Sequence, residues 1–279
     1  MLKPQQLWDK SKALSAEQEA VVVAFRKHTL LPLDDCLYAL QDSIPQLSRS
    51  ALHRCLQRHG ISQLPASATT AKRGKFASYP IGYFHIDLTE VHTAEGKLYL
   101  FVAIDRTSKF AFVRLTPKAT RREAGQFLQE LAKAIPYRIH TVLTDNGTHF
   151  TSPGNSSSAA PDIALAMQRG EIFRAHAFEY ACARLGIKHR LTKPYHPWTN
   201  GQVERMNRTI KEATVHTYHY ENHEQLQLHL RHFVNAYNFA KRLRTLSGQT
   251  SHQYICSCWQ TQPEYFHTDP HQFFAGPNT

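Results

Sequence analysis

The chain has 279 residues, 33 Lys and Arg against 22 Asp and Glu, and a net charge of +11 before its 18 His are counted. That length is ample for a hydrophobic core in one or two domains, and 42% hydrophobic with 11% aromatic residues exclude a disordered chain. No apolar run approaches the roughly 18 residues of a membrane helix, and residues 1–11 lack the apolar core of a secretion signal. Five scattered cysteines, at positions 36, 55, 182, 256 and 258, fit neither a disulfide framework nor a zinc site. The expectation is a reducing cytoplasm and a polyanionic partner, nucleic acid first.

The first sixty residues read as helices: 16–27, then 33–41 with Cys36, Leu37 and Leu40 on one face. Ile44-Pro45 ends that run, because proline disfavours helix in the residue before it. Ser48 is placed to N-cap a third helix, with Leu52, Cys55 and Leu56 inward and Gly60 as its stop. The outer face carries Arg49, Ser50, His53, Arg54, Gln57 and Arg58. A short helix, a turn and a basic helix predict a helix-turn-helix DNA reader over residues 1–61, with Arg49, Arg54 and Arg58 as DNA contacts. The alternative is a helical bundle with a solvated basic face. Residues 62–80 have linker composition, with Lys72, Arg73 and Lys75 making the linker basic.

From Tyr83 the pattern becomes that of strands, at 83–89, 98–105 and 110–115, followed by a helix over 120–135 and a strand over 139–144. This predicts an α/β domain with a mixed sheet. Residues 152–174 interrupt it, opening on the loop-forming run SPGNSSS and continuing through a short helix at 162–168. A helix at 175–185, a strand at 187–191 and a long helix from about Asn200 follow. Within 224–239, Leu226, Leu230, Phe233, Val234 and Tyr237 form a helical core stripe. Residues 246–279 contain no Lys or Arg and two acids, so they are expected to pack on the core rather than grip DNA.

Three carboxylates stand where chemistry can use them. Asp87 lies inside the apolar strand FHIDL, where an acid costs several kcal/mol unless paired or bound to metal. Asp145 ends the strand TVLTD and opens the turn Asn146-Gly147; taken alone, that is an ordinary turn. Thr199 and Gln202 offer a capping box that puts Glu204 in the first turn of a helix. Val203, Met206, Ile210 and Ala213 form that helix's apolar face, while Glu204, Arg208 and Lys211 share the opposite one. An ordinary solvated Glu–Arg pair also fits this spacing. Together the three acids suit hard cations: Mg²⁺ takes few carboxylates plus substrate phosphates, and two such ions about 3.5–4 Å apart serve in-line phosphoryl displacement. No Walker-type glycine-rich loop is present, which argues against nucleotide hydrolysis.

HIDLTEV, VLTDNGTHF and KPYHPWTNGQVERMNRTIKEA resemble, in order and on matching elements, the three acidic motifs of retroviral-integrase-like transposases from bacterial insertion sequences. The resemblance runs from about Ser48 to Gln253. It implies a ribonuclease H-like mixed-sheet catalytic core, preceded here by the small all-α helix-turn-helix domain. It further implies a triad of Asp87, Asp145 and Glu204 holding Mg²⁺, with Mn²⁺ able to substitute: Asp87 shared by two ions, the other two acids each completing one site. Asn146, Gly147, Pro197, Asn200, Gly201 and Asn207 also match the family's surroundings, and AYNFAKRLRTLSG resembles the helix and turn that follow the core. There are departures. The 58 residues between Asp145 and Glu204 exceed the usual spacing by roughly two dozen, which 152–174 most simply accounts for as a surface insert. Ser251 stands after Thr250 where relatives often have Pro. Related transposases often carry further upstream DNA-binding helices, whereas this chain starts just before a single helix-turn-helix.

His216, His219 and His223 are spaced to share a helix face, but no second ligand set accompanies them, so a polar surface is expected rather than structural zinc. The expected domains are 1–61, the linker 62–80, the catalytic core 81–245 and a C-terminal extension 246–279. The expected function is a DNA transposase or integrase, a two-metal polynucleotidyl transferase that cuts element ends and joins the freed 3′-hydroxyl to target DNA. Arg208 and Lys211 are the expected phosphate contacts, and residues 181–245 hold 11 Lys and Arg against 4 Asp and Glu. A homodimer or higher homo-oligomer on DNA follows from joining two ends, in a bacterial cytoplasm beside the nucleoid and without a membrane partner. Two alternatives remain: a shortened, non-catalytic relative acting as a repressor, and a metal-dependent nuclease that stops after hydrolysis.

Overall fold

The computed structural model describes residues 14–63, 79–154, 157–172, 174–192 and 201–274. Most of the expected linker, and Thr199 of the expected capping box, lie outside them. The chain divides into two units: residues 1–76 with 241–249, and residues 77–240 with 250–279.

In the first unit, α1 (Ala16–Thr29) opens on a capping box between Ser15 and Gln18. Helix α2 (Leu33–Leu40) is followed by α3 (Arg49–Arg58), whose N-cap Ser48 accepts a hydrogen bond from the Ala51 N–H at 3.2 Å. Gly60, at φ +68°, lets the chain turn so that the Ile61 N–H reaches the Leu56 carbonyl. Val22, Cys36, Leu40, Leu52, Cys55 and Leu56 fill the core between the three helices. Residues 241–249 belong to this unit, so the expected boundary at 245/246 is not where the chain divides. Arg244 lies 3.6 Å from Asp34 of α2, and Lys241 is close enough to lower the carboxyl pKa of Asp35 against its burial.

The second unit is built on a five-stranded sheet in the order β3-β2-β1-β4-β5. β1 (Tyr83–Thr93), β2 (Gly96–Asp105) and β3 (Ala111–Thr116) form an antiparallel meander. β4 (Thr141–Thr144) and β5 (Lys188–Leu191) run parallel to β1. Both faces are covered, because each central strand alternates two apolar sets. On one face Phe84, Ile86, Phe101 and Val142 pack with Phe127 and Leu128 of α4 (Arg121–Lys133), Phe178 of α6 (Ala177–Leu185) and Ile255 of α9 (Ser251–Thr261). On the other, Val91, Leu100 and Val102 meet Val203, Met206 and Ile210 of α7 (Gly201–Ala213) and Leu226 and Leu230 of α8 (His223–Asn235). Side chains such as Phe84, Phe101 and Phe178 are fully buried, each contributing roughly 1.5–3 kcal/mol. The C-terminal residues therefore pack on the core as expected, through Ile255, Cys258 and Phe266, but they are part of this unit rather than a separate extension.

Two further readings need correction. Residues 152–174 are not merely a surface excursion: α5 (Ala160–Gln168) buries Ala160 and Ile163, and Ala160 joins the sheet core. The three histidines do not share a helix face. Helix α7 ends at Ala213, and His223 opens α8, where its backbone N–H is taken by the Glu95 carboxylate at 2.7 Å. The α8 stripe runs into a π-helical turn at Ala236–Ala240 that carries Asn238 to the edge strand. There its amide pairs with both backbone groups of Ala111, at 2.8 and 2.9 Å, and occupies an edge that would otherwise be open. Among the described residues, no helix is long and apolar enough to cross a membrane.

Candidate active site

The register of the parallel strands brings the first two acids together. His85 pairs with Leu143, and Asp87 and Asp145 each lie two residues further on. They therefore leave adjacent strands at one level and on one face, the face covered by α7. The amphipathic α7 buries Val203, Met206 and Ile210 against that face, which leaves Glu204 and Arg208 exposed on its outer side and Lys211 half-buried. Asn207, one turn after Glu204, donates from its amide to Asp87 Oδ2 at 2.6 Å and so fixes the helix against β1. Among the described residues Glu204 makes no ion pair, so the Glu–Arg pairing its spacing allowed is not formed.

Electrostatics link the three carboxylates. Burial pushes Asp87 up to about 6, and the negative charges of Asp145 and Glu204 push it the same way. The Leu88 backbone and the Asn207 amide oppose this by favouring the charged form. Asp145 is steadied by the Gly147 N–H at 3.0 Å, and Asn146 reaches the Thr192 carbonyl at 3.4 Å. Gly147 is needed for space: a Cβ there would lie 2.5 Å from the His149 ring. The three acids supply an all-oxygen, net-negative donor set of the type that suits a hard divalent cation, although their carboxylate oxygens do not all lie within 4.8 Å of one another in this structure.

His85, on the same strand face, is almost fully buried, and burial together with Arg106 and Lys109 pushes it down to about 3. Its imidazole is therefore neutral. Sequence reasoning missed it, and also missed the polar contact of Asn207. The only signal for either was a polar residue at an inward position of an apolar repeat.

The basic helix behaves less uniformly than its sequence. Arg49 is paired with Asp34 at 2.7 Å and Arg58 with Glu19, whereas Arg54 is exposed and, among the described residues, unpaired. Glu19, Cys55 and His59 also converge within 4.8 Å, but Arg58 already meets the Glu19 charge. Glu179, another acid between the second and third motifs, is fully buried among Thr151, Ser158 and His189.

Residues 77–197 match a protein family described as "Integrase core domain", and residues 185–250 match a second family of the same description. Among solved structures, a chain of the simian T-cell lymphotropic virus intasome in complex with PP2A regulatory subunit B56 gamma is similar at 18% identity and a TM-score of 0.51. That match covers 84% of this chain and 73% of the other. The catalytic core domain of BIV integrase matches at 19% identity and a TM-score of 0.45, covering 65% of this chain and 98% of that one. The HTLV-2 integrase catalytic core, solved with magnesium, matches at 20% identity and 0.46, covering 63% and 96%. The mixed sheet with helices on both faces is the ribonuclease H-like fold of integrase cores, a family whose members are generally polynucleotidyl transferases, and residues 77–250 of the chain form an integrase core domain.

Proposed function

We infer that this protein is a DNA transposase of the bacterial insertion-sequence kind, with Asp87, Asp145 and Glu204 as its catalytic acids. The register that sets Asp87 and Asp145 on adjacent strands of the α7 face supports the reading most directly, and the charges of Asp145 and Glu204 both raise the pKa of Asp87. Mg²⁺, or Mn²⁺ in its place, would be held by these three residues and would supply Lewis-acid chemistry at a scissile phosphodiester. The chain's own contribution is placement. Asn207 and the Gly147 N–H orient Asp87 and Asp145. Arg208 and Lys211, on the Glu204 side of α7, bind DNA phosphates, and the basic α3 adds binding to the element's ends. In the reaction, water opens a phosphodiester at the element's end and leaves a 3′-hydroxyl. That hydroxyl then displaces the 3′-oxygen of a target phosphodiester, one bond forming for each one broken, with no covalent protein intermediate. Two ends must be joined in one event, so the working form is a homo-oligomer on DNA.

A strand-transfer assay with pre-cut element ends and Mg²⁺ tests this. Wild-type protein should join the ends to target DNA. Glu204→Gln, Asp87→Asn and Asp145→Asn should each bind those ends at least as well, because repulsion from phosphate falls, yet neither cut nor join. Near wild-type joining by Glu204→Gln would overturn the triad. Cutting without joining by the wild type would make the protein a nuclease, and binding with neither would make it a repressor.

A further inference from the structure

Behind the sheet, on the face opposite α7, a buried polar chain leads to the peptide that carries Asp145. Glu179 of α6 and His189 of β5 have fully buried side chains, with Glu179 Oε2 3.1 Å from His189 Nδ1. That contact is close enough for ion pairing, though off the line of a good hydrogen bond. The other ring nitrogen, Nε2, lies 2.9 Å from the Thr144 hydroxyl, which in turn donates to the Asp145 carbonyl at 2.8 Å. A hydroxyl has one proton. Thr144 spends its proton on that carbonyl, so its oxygen accepts from His189. Glu179 also accepts from two hydroxyls, Ser158 at 2.6 Å on the same Oε2 and Thr151 at 3.4 Å on Oε1. Ser158 belongs to the 152–174 insert.

An apolar pair would cover this spot at lower cost, since burying an ion pair rarely stabilises a fold by itself. What the polar chain adds is direction. The β1–β4 ladder ends at Leu143 and β4 itself at Thr144, so Asp145 stands just beyond the last strand pairing. We propose that Glu179 and His189 are positioning residues that act through Thr144 to fix the Asp145 peptide, and that Ser158 ties the insert to the acidic site through Glu179. This rests on Asp145 being a cation ligand, as argued above.

Four variants test it, read by Mn²⁺ binding in electron paramagnetic resonance, by the Mg²⁺ concentration for half-maximal strand transfer, and by affinity for element ends. Thr144→Val keeps the shape and removes the hydroxyl. It should weaken Mn²⁺ binding about ten-fold or more and raise the Mg²⁺ requirement in step, as loss of a ligand's supporting partner does, with DNA affinity unchanged. Thr144→Ser should restore both values. Ser158→Ala, a milder change on a half-buried residue, should move both in the same direction by a smaller factor. A folded Thr144→Val with wild-type Mn²⁺ binding overturns the proposal. Should Thr144→Val not fold, unchanged Mn²⁺ binding in Ser158→Ala overturns it instead. Asp145→Asn separates the two readings: retained strand transfer sinks the triad itself, whereas an inactive Asp145→Asn beside a wild-type-like Thr144→Val sinks only the positioning role.

Discussion

Two carboxylates on opposite faces of the sheet, Asp87 and Glu179, show how burial is resolved differently. Burial and the charges of Asp145 and Glu204 act together on Asp87, outweigh the Leu88 and Asn207 hydrogen bonds, and push its acid up to about 6. Glu179 is buried more completely, and burial alone would raise its pKa, but His189, Ser158 and the Ala159 backbone overcome that and hold it below its ordinary 4.5. The sign for stability follows. A carboxyl depressed in the fold contributes stability above its unfolded value, and that contribution is lost as pH falls through its folded value. Glu179→Gln should therefore cost about 3 kcal/mol at pH 7, as expected for breaking a buried pair. The gap to wild type should narrow as pH drops below 4.5. Denaturant unfolding at pH 7 and at acid pH measures it; an equal gap at both would mean that Glu179 is not ionised in the fold.

Helix α3 presents a row of arginines in sequence, and its structure divides them. Arg49 and Arg58 already face Asp34 and Glu19, so only Arg54 offers its charge at no internal cost. Arg54→Ala should lower the salt dependence of DNA binding by about one counterion. Arg49→Ala and Arg58→Ala should change it less, while altering stability little, as exposed pairs do. Equal slopes for all three would mean that α3 does not meet phosphate. The example shows which features a sequence carries. Caps, apolar stripes and strand alternation are local, so the Ser48 cap, the start of α4 near Thr120 and the α7 face were legible, with ends shifted by a few residues where strand pairing ran on, as in β1 to Thr93. Motif resemblance pointed to Asp87, Asp145 and Glu204 as candidates, but the register that aligns the first two is a property of two strands and not of either. The partners of Asn238, Glu179 and the insert were hidden for the same reason: a polar residue inside an apolar repeat signals burial without saying against what.

At the scale of the molecule, the first unit is completed by a segment that leaves the second after Ala240 and returns at Thr250. Residues 241–249 close on themselves, the Leu243 N–H donating to the Gln249 carbonyl at 2.9 Å, with Ser247 and Gly248 both at positive φ. Gly248 carries the tighter demand of the two. At φ +85° an L side chain is strained, and a Cβ there would lie 2.8 Å from the edge of the Tyr38 ring on α2. Gly248→Ala should therefore destabilise by about 1–3 kcal/mol, and the loss belongs to the first unit. Hydrogen exchange localises such a change, since each unit opens with its own free energy. Amides of Leu52, Cys55 and Leu56 should exchange about ten-fold faster or more, following the ten-fold per 1.36 kcal/mol rule. Those of Phe101 and Val102 in β2 should hold their rates, because the sheet core makes no use of Gly248. Were β2 to speed up as much as α3, the two units would unfold as one, and the excursion would be a structural tie for the whole chain rather than a piece of the first unit.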